Sequence, residues 1–241
     1  MRQVEVIGRV PIRDLEDWRR YAGPQRQYQW KDGHSAKECA KAWLRTGSPQ
    51  VPQELVALFD THELTRHLRI GRAEPELETR LDDFRGNGRF HDLVAHGVGP
   101  AGRTLVCIEA KTNEPFGPIV SEARKAGTLR SGSKVPKRIE QLAEALFRDG
   151  LGSAVLGLRY QLVHAVAGTL IEAARERAAL AVFVVHELRA NGEAADAHRA
   201  DLETFARKLA DDPLLSVSCG QLYGPFGVPG SGAGGLVPRD L

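Results

Sequence analysis

The chain has little of what usually announces a function outright. No charge of one sign dominates: 33 Lys and Arg stand against 31 Asp and Glu, a formal net charge of +2. No global field therefore steers it toward nucleic acid, and any such binding has to come from a local patch. There are only three cysteines, Cys39, Cys107 and Cys219, far apart, odd in number and without a CxxC pair. That pattern argues against a disulfide framework or a structural zinc and for free thiols in a reducing compartment. No stretch approaches an uninterrupted apolar run of membrane-spanning length, and the opening MRQVEVIGRVPIRDLEDW lacks the apolar core of a signal peptide. A cytoplasmic protein with no membrane partner is the expectation. Also missing are a GxSxG elbow, a Walker loop, a dinucleotide-binding GxGxxG and an HExxH.

What is present is ordinary for a globular chain: 241 residues, 42% hydrophobic and 27% charged, enough to bury a core without staples. Residues 3 to 7 alternate weakly, as an edge strand would, and 11 to 21 carry helical spacing at Leu15, Trp18 and Tyr21. Ser35 is placed to cap a helix with the apolar stripe Ala36, Cys39, Ala40, Trp43 and Leu44, and Ser35 with Glu38 has capping-box spacing. Pro52 opens a second short helix, and residues 62 to 70 extend the helical region up to Pro75. From Glu76 the period changes to two, and strands over 76–83, 89–96 and 103–111 form an antiparallel meander.

Helical stripes follow over 119–126, 134–147 and 158–175. Next comes ALAVFVVHEL, the continuous apolar run of a strand covered on both faces. A helix at 199–209 and a last strand near 215–223 complete the pattern. The class is α/β, or α+β, with one central mixed sheet whose antiparallel meander is flanked by helices. Residues 1–227 form a single domain on this reading, and 228–241 a flexible glycine-rich tail whose LVPR resembles a protease-cleavage sequence.

Chemistry concentrates on GRFHDLVAHGVGPAGRTLVCIEAKTNEPFG, residues 88 to 117. With the turn centred symmetrically on 97–102, Asp92 faces Cys107, and Glu109 and Lys111 share that face, Glu109 as the diagonal neighbour at roughly 7–8 Å. A slip of one residue sends Asp92 to the opposite face. Two carboxylates beside a lysine offer hard oxygen ligands for Mg²⁺ or Mn²⁺, with Asp92 and Glu109 on the metal. Lys111 then orients or deprotonates a bound water, or stabilises charge on a phosphoryl oxygen. The competing reading is a surface ion pair between Glu109 and Lys111.

Asp92, the hairpin, and Glu109-Ala110-Lys111 preceded by LVCI resemble the active-site signature of the PD-(D/E)XK, or restriction-endonuclease-like, nuclease superfamily. The segments GHSAKECAKAW, EAKTNEPFGPIV and LRYQLVHAVAGTL are similar to an uncharacterised bacterial branch of it, and the likeness covers roughly residues 30 to 190. The resemblance implies a restriction-endonuclease-like core, Asp92 and Glu109 on metal, and Lys111 in catalysis. It also implies Glu38 as an assisting acid from the first helix, for which the capping box offers a purely structural role, and Gln161 as a polar residue from a later helix. Two departures stand out. His91 precedes Asp92 where the family often has proline, and Ala165 occupies the place of the tyrosine that one branch carries after its Gln.

The activity implied is metal-dependent hydrolysis of phosphodiester bonds, DNA ahead of RNA, in bacterial defence or repair. The alternative is a catalytically silent module that binds nucleic acid or protein on the same fold. Arg124, Lys125, Arg130, Lys134, Lys137 and Arg138, with no acid among them, form a basic segment suited to phosphates, or equally a solvated helix face. A homodimer and a separate regulatory partner both stay open.

Overall fold

In the computed structural model the chain is described over residues 4–24, 26–188, 192–211, 221–225 and 231–236. The centre of its sheet is a hairpin, β3 (Arg89–Gly99) and β4 (Gly102–Lys111), turned by Pro100 and Ala101, with Gly102 at φ +97. Proline presets the first turn residue, and glycine accepts the left-handed backbone that closes it. Because the turn is this tight, Leu93 pairs with Ile108 and Val94 with Cys107. The ladder is thus displaced by two residues from a six-residue turn. An even displacement preserves side-chain parity, and extending the count by one brings Asp92 opposite Glu109 rather than Cys107.

Around this hairpin the elements run β1 (Glu5–Val6), α1 (Leu15–Ala22), a 3-10 turn (Gln27–Gln29), α2 (Ser35–Trp43), α3 (Gln53–Asp60) and β2 (Arg69–Thr79) before it. After it come α4 (Val120–Leu129), α5 (Val135–Leu146), α6 (Ser153–Leu156), α7 (Tyr160–Arg175), β5 (Leu180–Leu188), α8 (Gly192–Asp211), β6 (Gln221–Pro225) and β7 (Ser231–Leu236). Strand order is β1-β2-β3-β4-β5, continued by β7 and β6. β1 and β2 are parallel, β2 to β4 form the antiparallel meander, and β5 lies parallel to β4. The class is α+β with a mixed sheet between helices. No helix among the described residues is long and apolar enough to cross a membrane.

Helices cover both faces. Trp18, Trp43, Leu55 and Leu58 pack with Leu93, Ala95, Val106, Ile108 and Val184 on one side. Leu142, Phe147, Leu162 and Phe205 pack with Val94, Leu105, Cys107 and Val185 on the other. Each such side chain, removed from water, contributes roughly 1.5–3 kcal/mol before entropy is counted. β4 and β5 lie in the middle, which explains why they lack polar alternation. A polar cluster ties the first layer down: the exposed Arg45 donates twice to the buried Glu54 (2.8 and 3.1 Å), and the buried His186 Nε2 lies 3.3 Å from the same carboxylate.

Several boundaries differ from the sequence pattern. Residues 62–68 form turns, not helix, and β2 begins at Arg69, well before Glu76. Its alternation is hidden because the pairing register shifts between Ile70 and Arg72 and because Glu76 takes φ +52. His34 is the N-cap of α2, and Pro52 precedes α3 as its N-cap. The strand expected at 215–223 falls mostly outside the described residues, its end lying in β6. Part of the expected flexible tail, Ser231–Leu236, instead forms β7, paired with β5 and β6. Glycine-rich backbone keeps its N–H and C=O groups available for a ladder whatever its side chains.

α7 approaches the sheet closely where it has glycine. A Cβ at Gly168 would stand 3.1 Å from the His91 ring and 3.3 Å from the Arg89 stem. Gly168→Val is expected to lower stability by about 1–3 kcal/mol through overpacking, as read by urea unfolding; an unchanged midpoint would mean that the helix has room to withdraw.

Candidate active site

β2 and β3 change faces together at one point. Ala73 and Leu93 belong to the first layer's core, whereas Leu77 and Thr79, four and six residues beyond Ala73, and on the partner strand His91 and Arg89, two and four residues before Leu93, turn toward α7. Between them stand Glu76 and Asp92, opposite each other in a gap of the ladder where Pro75 pairs with Leu93 and Leu77 with His91. The left-handed backbone of Glu76, costly for a residue with a Cβ, makes the switch. Asp92 therefore sits at a bend, and its Oδ2 accepts the Ala110 N–H at 2.7 Å.

Glu109 and Lys111, at the end of β4, are only 3% and 4% exposed. Lys111 Nζ lies 3.1 Å from Glu109 Oε1 and 3.1 Å from Gln161 Oε1, and 5.2 Å over the Phe116 ring. The Gln161 amide, from the first turn of α7, donates to Glu109 Oε1. The other carboxylate oxygen, Oε2, accepts from Arg89 Nη2. Strand spacing brought out Asp92, Glu109 and Lys111, and the family resemblance Gln161; the fold gathers these four. It did not bring out Arg89 or Glu76: their only signal, a charge at an alternating strand position, is common on surfaces. The surface ion-pair reading of Glu109 and Lys111 does not survive their burial.

Glu38 is buried, and its Oε1 accepts from Gly33 N–H (3.0 Å) and Lys41 Nζ (2.8 Å), fastening the loop before α2. It serves no capping box with Ser35, whose hydroxyl interacts with Glu114. Of the basic segment, Arg124 pairs with Glu140 and Arg138 with Asp82. The first pair joins α4 to α5 and the second ties α5 to the loop after β2, while Lys125, Arg130, Lys134 and Lys137 remain exposed. On the far side of Lys111, His198 of α8 donates Nε2–H to the Glu114 carbonyl (2.8 Å) and places Nδ1 2.6 Å from Glu187, the β5 neighbour of Lys111. Burial lowers the tendency of His198 to protonate, but these two acceptors outweigh it and raise its pKa.

The electrostatics divide the acids. Burial alone would raise Glu109, yet the charges of Arg89 and Lys111 overcome it and hold the carboxyl well below its usual range. Asp92 goes the other way: burial and the negative Glu109 push its carboxyl up. Two close carboxylates in this setting cannot both ionise cheaply unless a further cation joins them. That is the physical case for a metal held by Asp92 and Glu109. Against it, Glu109 already has Arg89, and no group of three or more His, Cys, Asp or Glu side chains with metal-holding geometry occurs among the described residues.

Glu76 is raised to about 7, chiefly by burial, with Glu109 adding to it and Arg89 opposing. The folded state thus binds this proton more tightly than the unfolded chain, whose ordinary value is 4.5. The group's contribution is fully present below 4.5 and is lost as pH rises to about 7. Without divalent cations, Glu76→Gln and the parent chain should melt alike near pH 4, with the variant more stable by about 1–3 kcal/mol near pH 8. A Tm difference that does not change with pH would contradict this assignment.

A family described as "Domain of unknown function (DUF6946)" matches residues 11–227. No curated protein and no solved structure matches the chain.

Proposed function

For a chain that belongs to this domain family of unknown function, we propose metal-dependent hydrolysis of phosphodiester bonds, in DNA ahead of RNA, on a restriction-endonuclease-like core. One observation carries the reading. Asp92 from β3, Glu109 and Lys111 from β4 and Gln161 from α7 converge at a bend in the middle of the sheet: Glu109, Lys111 and Gln161 are bonded to one another, and Asp92 accepts from the Ala110 N–H between the two β4 residues. Buried charge at a sheet centre is costly to maintain, and clusters of acids with divergent pKa values are characteristic of catalytic sites.

Mg²⁺ or Mn²⁺ would be held by Asp92 and Glu109. When bound, it supplies a Lewis acid and a more acidic water. The Lys111 ammonium stabilises negative charge on a phosphoryl oxygen, and Gln161 fixes its position by accepting from Nζ while donating to Glu109. Phe116 and His198 with Glu187 close the other side of Lys111 and keep water from its stem. Lys125, Arg130, Lys134 and Lys137 offer the exposed cations for a phosphate backbone.

The test is incubation with linear, circular and single-stranded DNA and with RNA, in Mg²⁺, Mn²⁺ or EDTA. Cleavage that needs the divalent cation supports the reading, and cleavage surviving in EDTA overturns it. A specific contact favours a second reading, a binding module on the same fold: Arg89 occupies Glu109 as a permanent counter-ion would. Binding of nucleic acid without cleavage of any substrate would decide for that module.

A further inference from the structure

Beside the carboxylates lies a cavity of about 400 Å³ that the catalytic residues do not fill. Asp92 and Glu76 line it, as do Thr112 and Asn113, just past β4. The segment before α2 contributes Tyr28, Gln29 and His34. The cavity thus runs from the proposed hydrolytic centre to the surface. Its volume is near the lower end for small-molecule sites, roughly 300–1,000 Å³, which suits one nucleotide and not a stacked pair.

Tyr28 at this cavity is 57% exposed, the highest exposure of any large aromatic side chain among the described residues. Its hydroxyl accepts from Arg26 Nη1 at 3.0 Å, and both belong to the stretch entering the 3-10 turn (Gln27–Gln29). An aromatic face held by a guanidinium, beside a passage that opens on two carboxylates, combines a stacking platform with a cation for a flanking phosphate. Those are the two parts by which proteins hold single-stranded nucleic acid.

We propose that this cavity receives one unpaired nucleotide next to the scissile phosphate, its base stacked on Tyr28, so that the protein acts on single-stranded nucleic acid or on frayed ends. This rests on the nuclease reading of Asp92, Glu109 and Lys111, and adds its substrate class. A base still paired within a duplex has its neighbours and complement in the way, and a passage of this size does not admit them. Gln29 and His34 present hydrogen-bonding groups suited to the exposed edges of an unpaired base.

The experiment measures binding apart from cleavage. Fluorescence anisotropy with Ca²⁺ in place of Mg²⁺ compares a labelled single-stranded oligothymidylate with a labelled blunt DNA hairpin, for the full chain, Tyr28→Ala and Tyr28→Phe. Expected is a loss of about tenfold in oligothymidylate affinity for Tyr28→Ala, near-parental affinity for Tyr28→Phe, and hairpin affinity the same in all three. Melting temperatures should agree, because the side chain is mostly exposed. The proposal is overturned by unchanged oligothymidylate binding in Tyr28→Ala, by an equal loss on the hairpin, or by failure of the parent chain to bind the oligothymidylate. Cleavage that is metal-dependent but indifferent to Tyr28 refutes only this inference. Tyr28-dependent binding with no cleavage refutes the nuclease reading while leaving the binding site in place.

Discussion

Lys111→Ala is expected to slow DNA cleavage by about a hundredfold to a thousandfold, with kcat falling and KM nearly unchanged. That is the usual cost of removing one preorganised group that stabilises charge in the transition state. The ammonium lies 3.1 Å from both Glu109 and Gln161, so it is aimed before substrate arrives. Lys111→Met, which keeps most of the apolar stem over Phe116, should lose the same activity with less loss of stability. Initial rates in Mg²⁺ for the three proteins decide the matter. Parental rates in Lys111→Ala would remove this lysine from the mechanism, and with it the central part of the nuclease reading.

Arg89→Met should destabilise the metal-free protein by about 3–5 kcal/mol, because it leaves the buried Glu109 carboxylate short of a cation. Arg89 and Glu109 are 10% and 3% exposed, so water cannot substitute effectively. For a chain of this size the loss corresponds to a Tm lower by roughly 10 °C. A divalent cation bound by Asp92 and Glu109 would take over the neutralisation. Mg²⁺ or Mn²⁺ should therefore raise the Tm of Arg89→Met by more than it raises that of the parent. The two melts, with and without metal, separate the outcomes. A destabilised variant that metal does not rescue would mark Arg89 as the permanent counter-ion and favour the non-catalytic module. An unaffected variant would show the ion pair to be dispensable.

How much of this was legible beforehand depends on which physical signal each residue leaves. The helices at 35–43, 135–146 and 160–175 declare themselves because one face of each is apolar and the other is not. β5 declares itself by an apolar run too short for a helix spanning the core. β2 does not. A register shift near Gly71 and a left-handed Glu76 break the period of two that would have marked it, so Arg69 and Ile70 passed for the end of a helical region and the strand was read only from Glu76. Glu38 has capping-box spacing, yet its carboxylate bonds Gly33 and Lys41, because His34 and not Ser35 ends the extended segment before α2.

Within the site the contrast is sharper. Asp92, Glu109 and Lys111 could be grouped from alternation along two strands, since parity survives any even error in the turn. The error was in fact even: a tight turn at Pro100 and Ala101 replaced a six-residue one. Arg89 and Glu76 could not be grouped with them. Both reach the site only because β2 and β3 bend at the position of Asp92, and a bend has no sequence period of its own.

By itself, then, the order of residues determined the mixed sheet between helices, the hairpin carrying two acids and a lysine, and the lack of a membrane-spanning apolar run. These rest on local periodicity and on pairing between neighbours in sequence. Only the tertiary structure decided the charge state of the acids, the partner of Glu109 and the cavity beside Asp92. Those depend on burial and on distances between segments far apart in the chain: β3 and β4 meeting α7, and the 3-10 turn facing the end of β4. Local spacing can name the groups of a site, but the field in which they titrate comes from everything packed around them.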